Sequence, residues 1–211
     1  AIYTARLVNK FGNFKNTLSY NNTYILRNVT GNSKKNYYGY RDAINFVSEY
    51  NFDLDNRIIF GFDNEFDRAE LYNYYTNSSY AESDEGIFSQ YFDLQFRPAK
   101  KTYATFGLRR DDHTTVGDYY TGRITASHRI DNNTKLRANL GSSVRFPALN
   151  SLHHGNYLID KENLKAETGR SIDFGVDKFF PKENINLSAT TFYLKYKNDI
   201  RSEEHTSELQ S

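Results

Sequence analysis

The sequence predicts an all-β chain of about ten antiparallel strands in up-and-down order. The first ground is a period-two alternation of apolar and polar residues that recurs along the 211 residues. The second is composition: 18 Tyr and 16 Phe occur in a chain with only 3 Pro and a mean hydropathy of -0.77. Aromatics at that density argue against disorder, and Tyr, Phe and Thr favour strands. A polar average with many aromatics is what strands with one apolar face produce. The third ground is the spacing of the connections, which alternate strictly between short and long.

In chain order, alternating runs occupy residues 2–8, 14–27, 37–50, 56–68 and 86–97. Cleaner runs follow. From Thr102, Ala104, Phe106 and Leu108 oppose Tyr103, Thr105 and Arg109. From Tyr119, the face of Tyr120, Ile124, Ala126 and Ile130 opposes Thr121, Arg123, Thr125, Ser127 and Arg129. Next, Leu136, Ala138 and Leu140 oppose Lys135, Arg137 and Asn139, and Ile172, Phe174 and Val176 oppose Ser171, Asp173 and Asp177. In the last run, 185–199, the apolar phase slips near Thr190 and Thr191, which predicts a β-bulge.

Short connections fall near 9–13, 51–56, 98–101, 131–134 and 181–184, and long ones at 28–36, 69–85, 110–118 and 146–168. In a meander, all short turns then share one end and all long loops the other. Strands of about ten residues, one apolar and one polar face, and that loop asymmetry together describe a transmembrane barrel. Full charges of both signs on the polar face, such as Arg109, Arg123, Arg137, Asp173 and Asp177, suit a wet or plugged lumen. A soluble sandwich or lipocalin-like barrel also alternates, but sandwich strands run nearer five or six residues. The predicted class is therefore an antiparallel up-and-down transmembrane β-barrel fragment.

Composition excludes several functions. With no Cys, disulfides, thiolate metal sites and cysteine nucleophiles are ruled out. A net charge of +1 gives no nucleic-acid footprint. No nucleophile elbow or glycine-rich phosphate loop occurs, so no enzyme is expected. The absence of Met suggests a chain that begins inside a longer one. The final stretch, RSEEHTSELQS (201–211), has no aromatic and resembles a translated sequencing adapter, so residues 1–200 are expected to be native barrel and 201–211 a non-native tail.

One long connection carries sharper motifs. Gly141, Arg145, Phe146, Pro147, Leu149 and Leu152 lead into it, Gly155 and Asn156 follow, and Asn163, Leu164, Lys165, Glu167 and Gly175 lead out. This series resembles the signature "G-x-x-F-R-x-P-x-L-x-x-L … G-N-x-x-L-x-P-E" of TonB-dependent outer-membrane receptors. The chain departs from it in the order Arg145-Phe146, in Ala166 at the usual proline, and in the inserted YLIDKE (157–162). The core of 108–144, with Arg109 or Arg110, Asp111, Asp112, Gly117 and Asp118, resembles the strand-loop-strand before that signature, most familiarly in the cobalamin-receptor branch. GFDNEFDR (61–68) resembles a strand of the same branch. The convincing stretches, 61–68 and 108–200, cover about half of the chain.

The resemblance implies part of a barrel of about 22 strands, in the outer membrane of a Gram-negative bacterium and in contact with its lipid. It implies active uptake of a scarce small-molecule nutrient, with cobalamin favoured and a ferric siderophore or haem as the alternative; a passive porin-like channel is a further reading. It also implies coupling to the periplasmic protein TonB through a plug domain that this chain does not contain. Pro147 would end the strand, since it cannot donate to a ladder, and Gly155 would allow a turn. Glu167 and Lys165 could pair where the chain re-enters the sheet. The signature loop is read as structural, with ligand contact somewhere along it.

Metal candidates are weighed against plain polar loops. His153 and His154 are adjacent, with Asp160 and Glu162 nearby, and read better as a solvated pair. Asp111, Asp112 and Asp118 with Gly117 suggest calcium in an outer loop, although EF-hand order is absent and a polar turn is preferred. Glu82, Asp84 and Glu85 form a similar acidic group. No resident cofactor is expected.

Overall fold

The computed structural model describes residues 1–29, 35–73, 78–149 and 164–198. Its strands are β1 (Ile2–Phe11), β2 (Phe14–Val29), β3 (Lys35–Asn51), β4 (Arg57–Asn73), β5 (Ser78–Ala99), β6 (Thr102–His113), β7 (Gly117–Arg129), β8 (Thr134–Arg145), β9 (Glu167–Phe180) and β10 (Ile185–Lys197). They form one 10-stranded sheet in sequence order, every neighbour antiparallel.

Register joins the apolar faces into a belt. Phe11, Phe14, Tyr50, Ile58, Leu94, Phe106, Ile124, Leu140, Ile172 and Tyr193 lie opposite one another from each strand to the next. The row starts beside the hairpin at Gly12 and sits well up β9 by Ile172. That climb is the stagger that tilted barrel strands require. Gly12 has φ 55 and Asn184 φ 53, so two short turns use the left-handed backbone that Gly and Asn tolerate best.

The sheet is a single layer. Among the described residues no Leu, Ile, Val or Phe is fully buried, and Ile124, Leu140 and Ile172 stay about half exposed. Such a face gains its stability from lipid rather than from a second protein layer.

Two expectations need correction. The strands outrun their periodicity: β6 and β7 pair as far as His113↔Gly117, and β4 and β5 as far as Asn73↔Ser78, so the loops expected at 110–118 and 69–85 are mostly ladder. Above the lipid both faces are wet, so hydropathy stops alternating while backbone pairing continues. Pairing of β9 with β10 runs unbroken through Gly175↔Thr190 and Phe174↔Thr191, so no bulge occurs there. The apolar residues simply change faces, with Phe192, Leu194 and Tyr196 on the polar side. Register shifts fall instead between Leu71 and Tyr72 and between Phe96 and Ala99. The second holds Pro98, which cannot donate to a ladder. The segment 201–211 lies outside the described residues.

Candidate functional site

The polar face is built from long side chains laid over glycines. Arg123 on β7 crosses Gly107 on β6 and reaches Asp93 on β5, Nη2 to Oδ1 2.8 Å. A Cβ on Gly107 would stand 2.5 Å from that Asp93 oxygen and 3.2 Å from Arg123 Cγ. Arg137 on β8 covers Gly175 on β9, holds Asp177 at 2.9 Å and donates to the Ser188 and Thr190 hydroxyls on β10 at 3.2 and 3.0 Å. The Tyr91 ring lies over Gly61, and Tyr196 over Gly169.

Arg109 centres a partly buried charge cluster. It donates to Asp63 at 2.9 Å and to Asp111 at 2.7 Å, and its guanidinium stands 5.8 Å from the Tyr91 ring centroid. Asp111 is 2% exposed and also accepts from Ser89 Oγ at 2.6 Å. Farther along, Arg41 forks onto Asp67 with two bonds of 2.6 Å.

At the long-loop end the signature chain folds onto the wall. Phe146 stacks on His113 with centroids 4.7 Å apart and meets Tyr119 edge-on at 5.6 Å. Pro147 is buried. Arg41, Glu65, Asp67, Glu85, His113 and Phe146 border a cleft of about 200 Å³ here. His113 Nδ1 accepts from the Thr115 and Val116 amides at 3.2 and 3.4 Å, which fixes the ring with its proton on Nε2. Burial pushes the His113 pKa below its ordinary value, and the nearby Glu85 carboxylate opposes that only in part. Glu85 accepts from the Thr114 and Thr115 hydroxyls, each at 2.6 Å. His113 stands beyond Arg110 and Asp112, charged residues on the outward face that mark the end of the lipid zone.

The structure separates the suggested calcium ligands. Asp111 and Asp112 are consecutive strand residues and point to opposite faces. Asp111 belongs to Arg109, while Asp112 and Asp118 share Arg110 at 3.3 and 2.8 Å. Asp84 and Glu85 split in the same way, and no metal-holding group of acids and histidines occurs among the described residues. In the signature, Arg145 meets Glu167 at 3.5 Å across the neck of the loop, Leu149 borders the cleft, and Lys165 is exposed. Leu164 is partly buried. Leu152, Gly155, Asn156 and Asn163, with His153 and His154, lie outside the described residues.

Sequence reasoning missed two features. One is the set of glycines at polar-phase positions between outward apolar residues, as in Phe60-Gly61-Phe62 and Phe106-Gly107-Leu108; that pattern was a usable signal. The other is Ala166, fully buried at the usual proline position, whose amide donates to Tyr119 Oη at 3.1 Å.

A family model described as "TonB dependent receptor-like, beta-barrel" matches residues 2–208. The ferric enterobactin receptor of Pseudomonas aeruginosa is 27% identical over an alignment of 136 residues that covers 57% of this chain and 18% of that protein. Ferric enterobactin receptor PirA of the same species is 28% identical over an alignment of 126 residues that covers 51% of this chain and 16% of that one. Among solved structures, the siderophore receptor PirA from Pseudomonas aeruginosa superposes with a TM-score of 0.71 at 20% identity, covering 92% of this chain and 38% of that chain. The matched part is thus less than a fifth of each curated relative.

Proposed function

Because the chain belongs to the TonB-dependent receptor β-barrel family of Gram-negative outer membranes, we propose that it walls an active transporter whose ligand is a ferric siderophore. Members of this family are transport receptors, not enzymes. The observation that carries the ligand class is the pair of sequence relatives, both named as ferric enterobactin receptors. Those names favour iron-siderophore uptake over the cobalamin reading that 61–68 and 108–144 suggested.

The cleft at the mouth joins the Phe146 ring to Arg41, whose guanidinium is already forked onto Asp67, and to the carboxylates of Glu65 and Glu85, so the ligand class rests on the relatives and not on the charge of this cleft. Iron here is cargo and not a resident cofactor. In the whole receptor, a plug inside the barrel couples ligand release to TonB.

Uptake in cells whose own siderophore and cobalamin receptors are deleted tests this reading. Cells carrying the full-length receptor should accumulate radioactive iron from ferric enterobactin, in a TonB-dependent manner, and should not accumulate labelled cobalamin. Cobalamin uptake without iron uptake would restore the other branch. Iron entry that persists without TonB would make the protein a passive channel.

A further inference from the structure

One seam in the wall is incomplete, and it lies between interior strands of the sheet. At the long-loop end, every other pair of neighbouring strands stays in register until one of the two ends. Pairing of β7 with β8 instead stops at Arg123↔Gly141, although β7 extends to Gly117 and β8 to Arg145. Each of those lengths remains paired on its other side, β7 with β6 up to His113↔Gly117 and β8 with β9 up to Arg145↔Glu167. The Ser142 hydroxyl fills the first gap in place of backbone pairing. It accepts from the Gly122 amide at 2.9 Å and donates to the Gly122 carbonyl at 3.4 Å.

Above that point a cleft of about 340 Å³ opens between the strands. Tyr119, Thr121 and Ser143 of the lumen phase border it together with Tyr120 and Val144 of the lipid phase. A closed sheet keeps residues of opposite phase on opposite faces, so this cleft runs into the thickness of the wall. Farther up, side chains of one hairpin meet the feet of the long loop. The Ala166 amide donates to Tyr119 Oη at 3.1 Å, and the Phe146 ring stands 5.6 Å from Tyr119 and 4.7 Å from His113. His113 and Tyr119 belong to β6 and β7, whereas Phe146 and Ala166 adjoin β8 and β9. These contacts therefore cross the open seam.

We propose that the seam is a hinge line built into the wall and latched at its outer end by Tyr119. Release of the latch lets β8, β9 and both feet of the long loop swing away from the β6–β7 hairpin as one leaf. The leaf is stiff, because its ladder is complete and Arg145 meets Glu167 at 3.5 Å across its top. Gly141 lies in the last paired rung and Gly122 adjoins it, and residues without a Cβ absorb the dihedral change of a hinge readily. Opening breaks no ladder bond, so it widens the mouth at lower cost than unzipping any other pair of strands. The inference is independent of which nutrient the receptor carries.

Double electron–electron resonance on the full-length receptor in lipid nanodiscs tests this. This chain brings no cysteine of its own, and spin labels at D84C and K165C take exposed positions on opposite sides of the seam. Tyr119→Phe removes the hydroxyl and Ala166→Pro the amide hydrogen, so each deletes the same bond from one side. Either should raise the population of a longer D84C–K165C distance about fivefold, the factor expected for loss of one hydrogen bond. The double variant should raise it no further. A pair at the short-turn end, K100C and K182C, should keep one distance throughout. Heat-shifted gel mobility identifies the folded variants; should Ala166→Pro fail to fold, Tyr119→Phe, which keeps the ring, decides alone. Unchanged D84C–K165C distances in the folded variants overturn the proposal. So does equal broadening at K100C–K182C, which would mean that the whole barrel loosens and that β7 and β8 form no hinge.

Discussion

Arg123 reaches Asp93 only because Gly107, on the strand between them, has no side chain. The same economy at other glycines gives a rank order. At Gly61 an added methyl would run into the Phe46 backbone carbonyl as well as the Tyr91 ring, and backbone cannot move aside cheaply. At Gly107 it meets side-chain atoms, and at Gly141 nothing nearer than 3.8 Å. Gly61→Ala should therefore cost about 1–3 kcal/mol, Gly107→Ala less, and Gly141→Ala close to nothing. Urea midpoints of the folded barrel, read by gel mobility, check the order; equal losses at Gly61 and Gly141 would refute the crowding argument.

Face assignment makes a second prediction at two adjacent residues. Ile124 sits in the middle of the apolar row, and Thr125 is its neighbour on the polar side. Arginine at Ile124 should cost about 2–4 kcal/mol, the penalty for a cation near the bilayer midplane. Arginine at Thr125 should be nearly neutral. Refolding into lipid vesicles, followed by protease protection, distinguishes them. A reversed result would turn the sheet inside out.

Ala166 supplies an amide where a proline would supply none. Ala166→Pro should lose the bond to Tyr119 Oη, worth about 1 kcal/mol. Tyr119→Phe should lose much the same, and the double variant no more than either alone. Full additivity in that cycle would show that the two groups do not act as a pair.

The mouth should loosen in acid. His113 has a folded pKa below its ordinary value because it is buried. The unfolded or opened segment therefore takes up a proton first. The penalty is absent well above pH 6.5, begins as the pH falls through that value, and is complete below the folded pKa. Hydrogen-exchange protection factors across 113–119, corrected for the intrinsic pH dependence of exchange, should fall between pH 7.5 and 5, and His113→Phe, which keeps the contact with Phe146, should flatten that dependence. A profile unchanged by the substitution would assign the acid response to other groups.

Strand number, order and facing were legible because lipid on one side and water on the other impose a two-residue period. Ile124, Leu140 and Ile172 advertise it plainly. The strand ends were not, because beyond the lipid zone no such constraint writes itself into residues such as Arg110 to His113. Asp111 and Asp112 looked like a cluster because adjacency in sequence says nothing of facing until the segment is known to be a strand. The Ser89–Asp111 bond and the Phe146–His113 stack depend on register between separate segments, which one sequence does not display. The glycine positions were readable in principle, since each interrupts the polar phase between two apolar neighbours.

The glycine crossings have a mechanical side. Arg123 and Arg137 each tie three consecutive strands together around the circumference, so they act like hoops on a cask. A load applied from within the lumen is then shared sideways among staves instead of being borne by one ladder. Because the side chains lie flat, the bore stays wide by nearly the length of an arginine. The hoops are ionic and wet, so strong salt should slacken the girth of the wall while leaving the length of its staves unchanged.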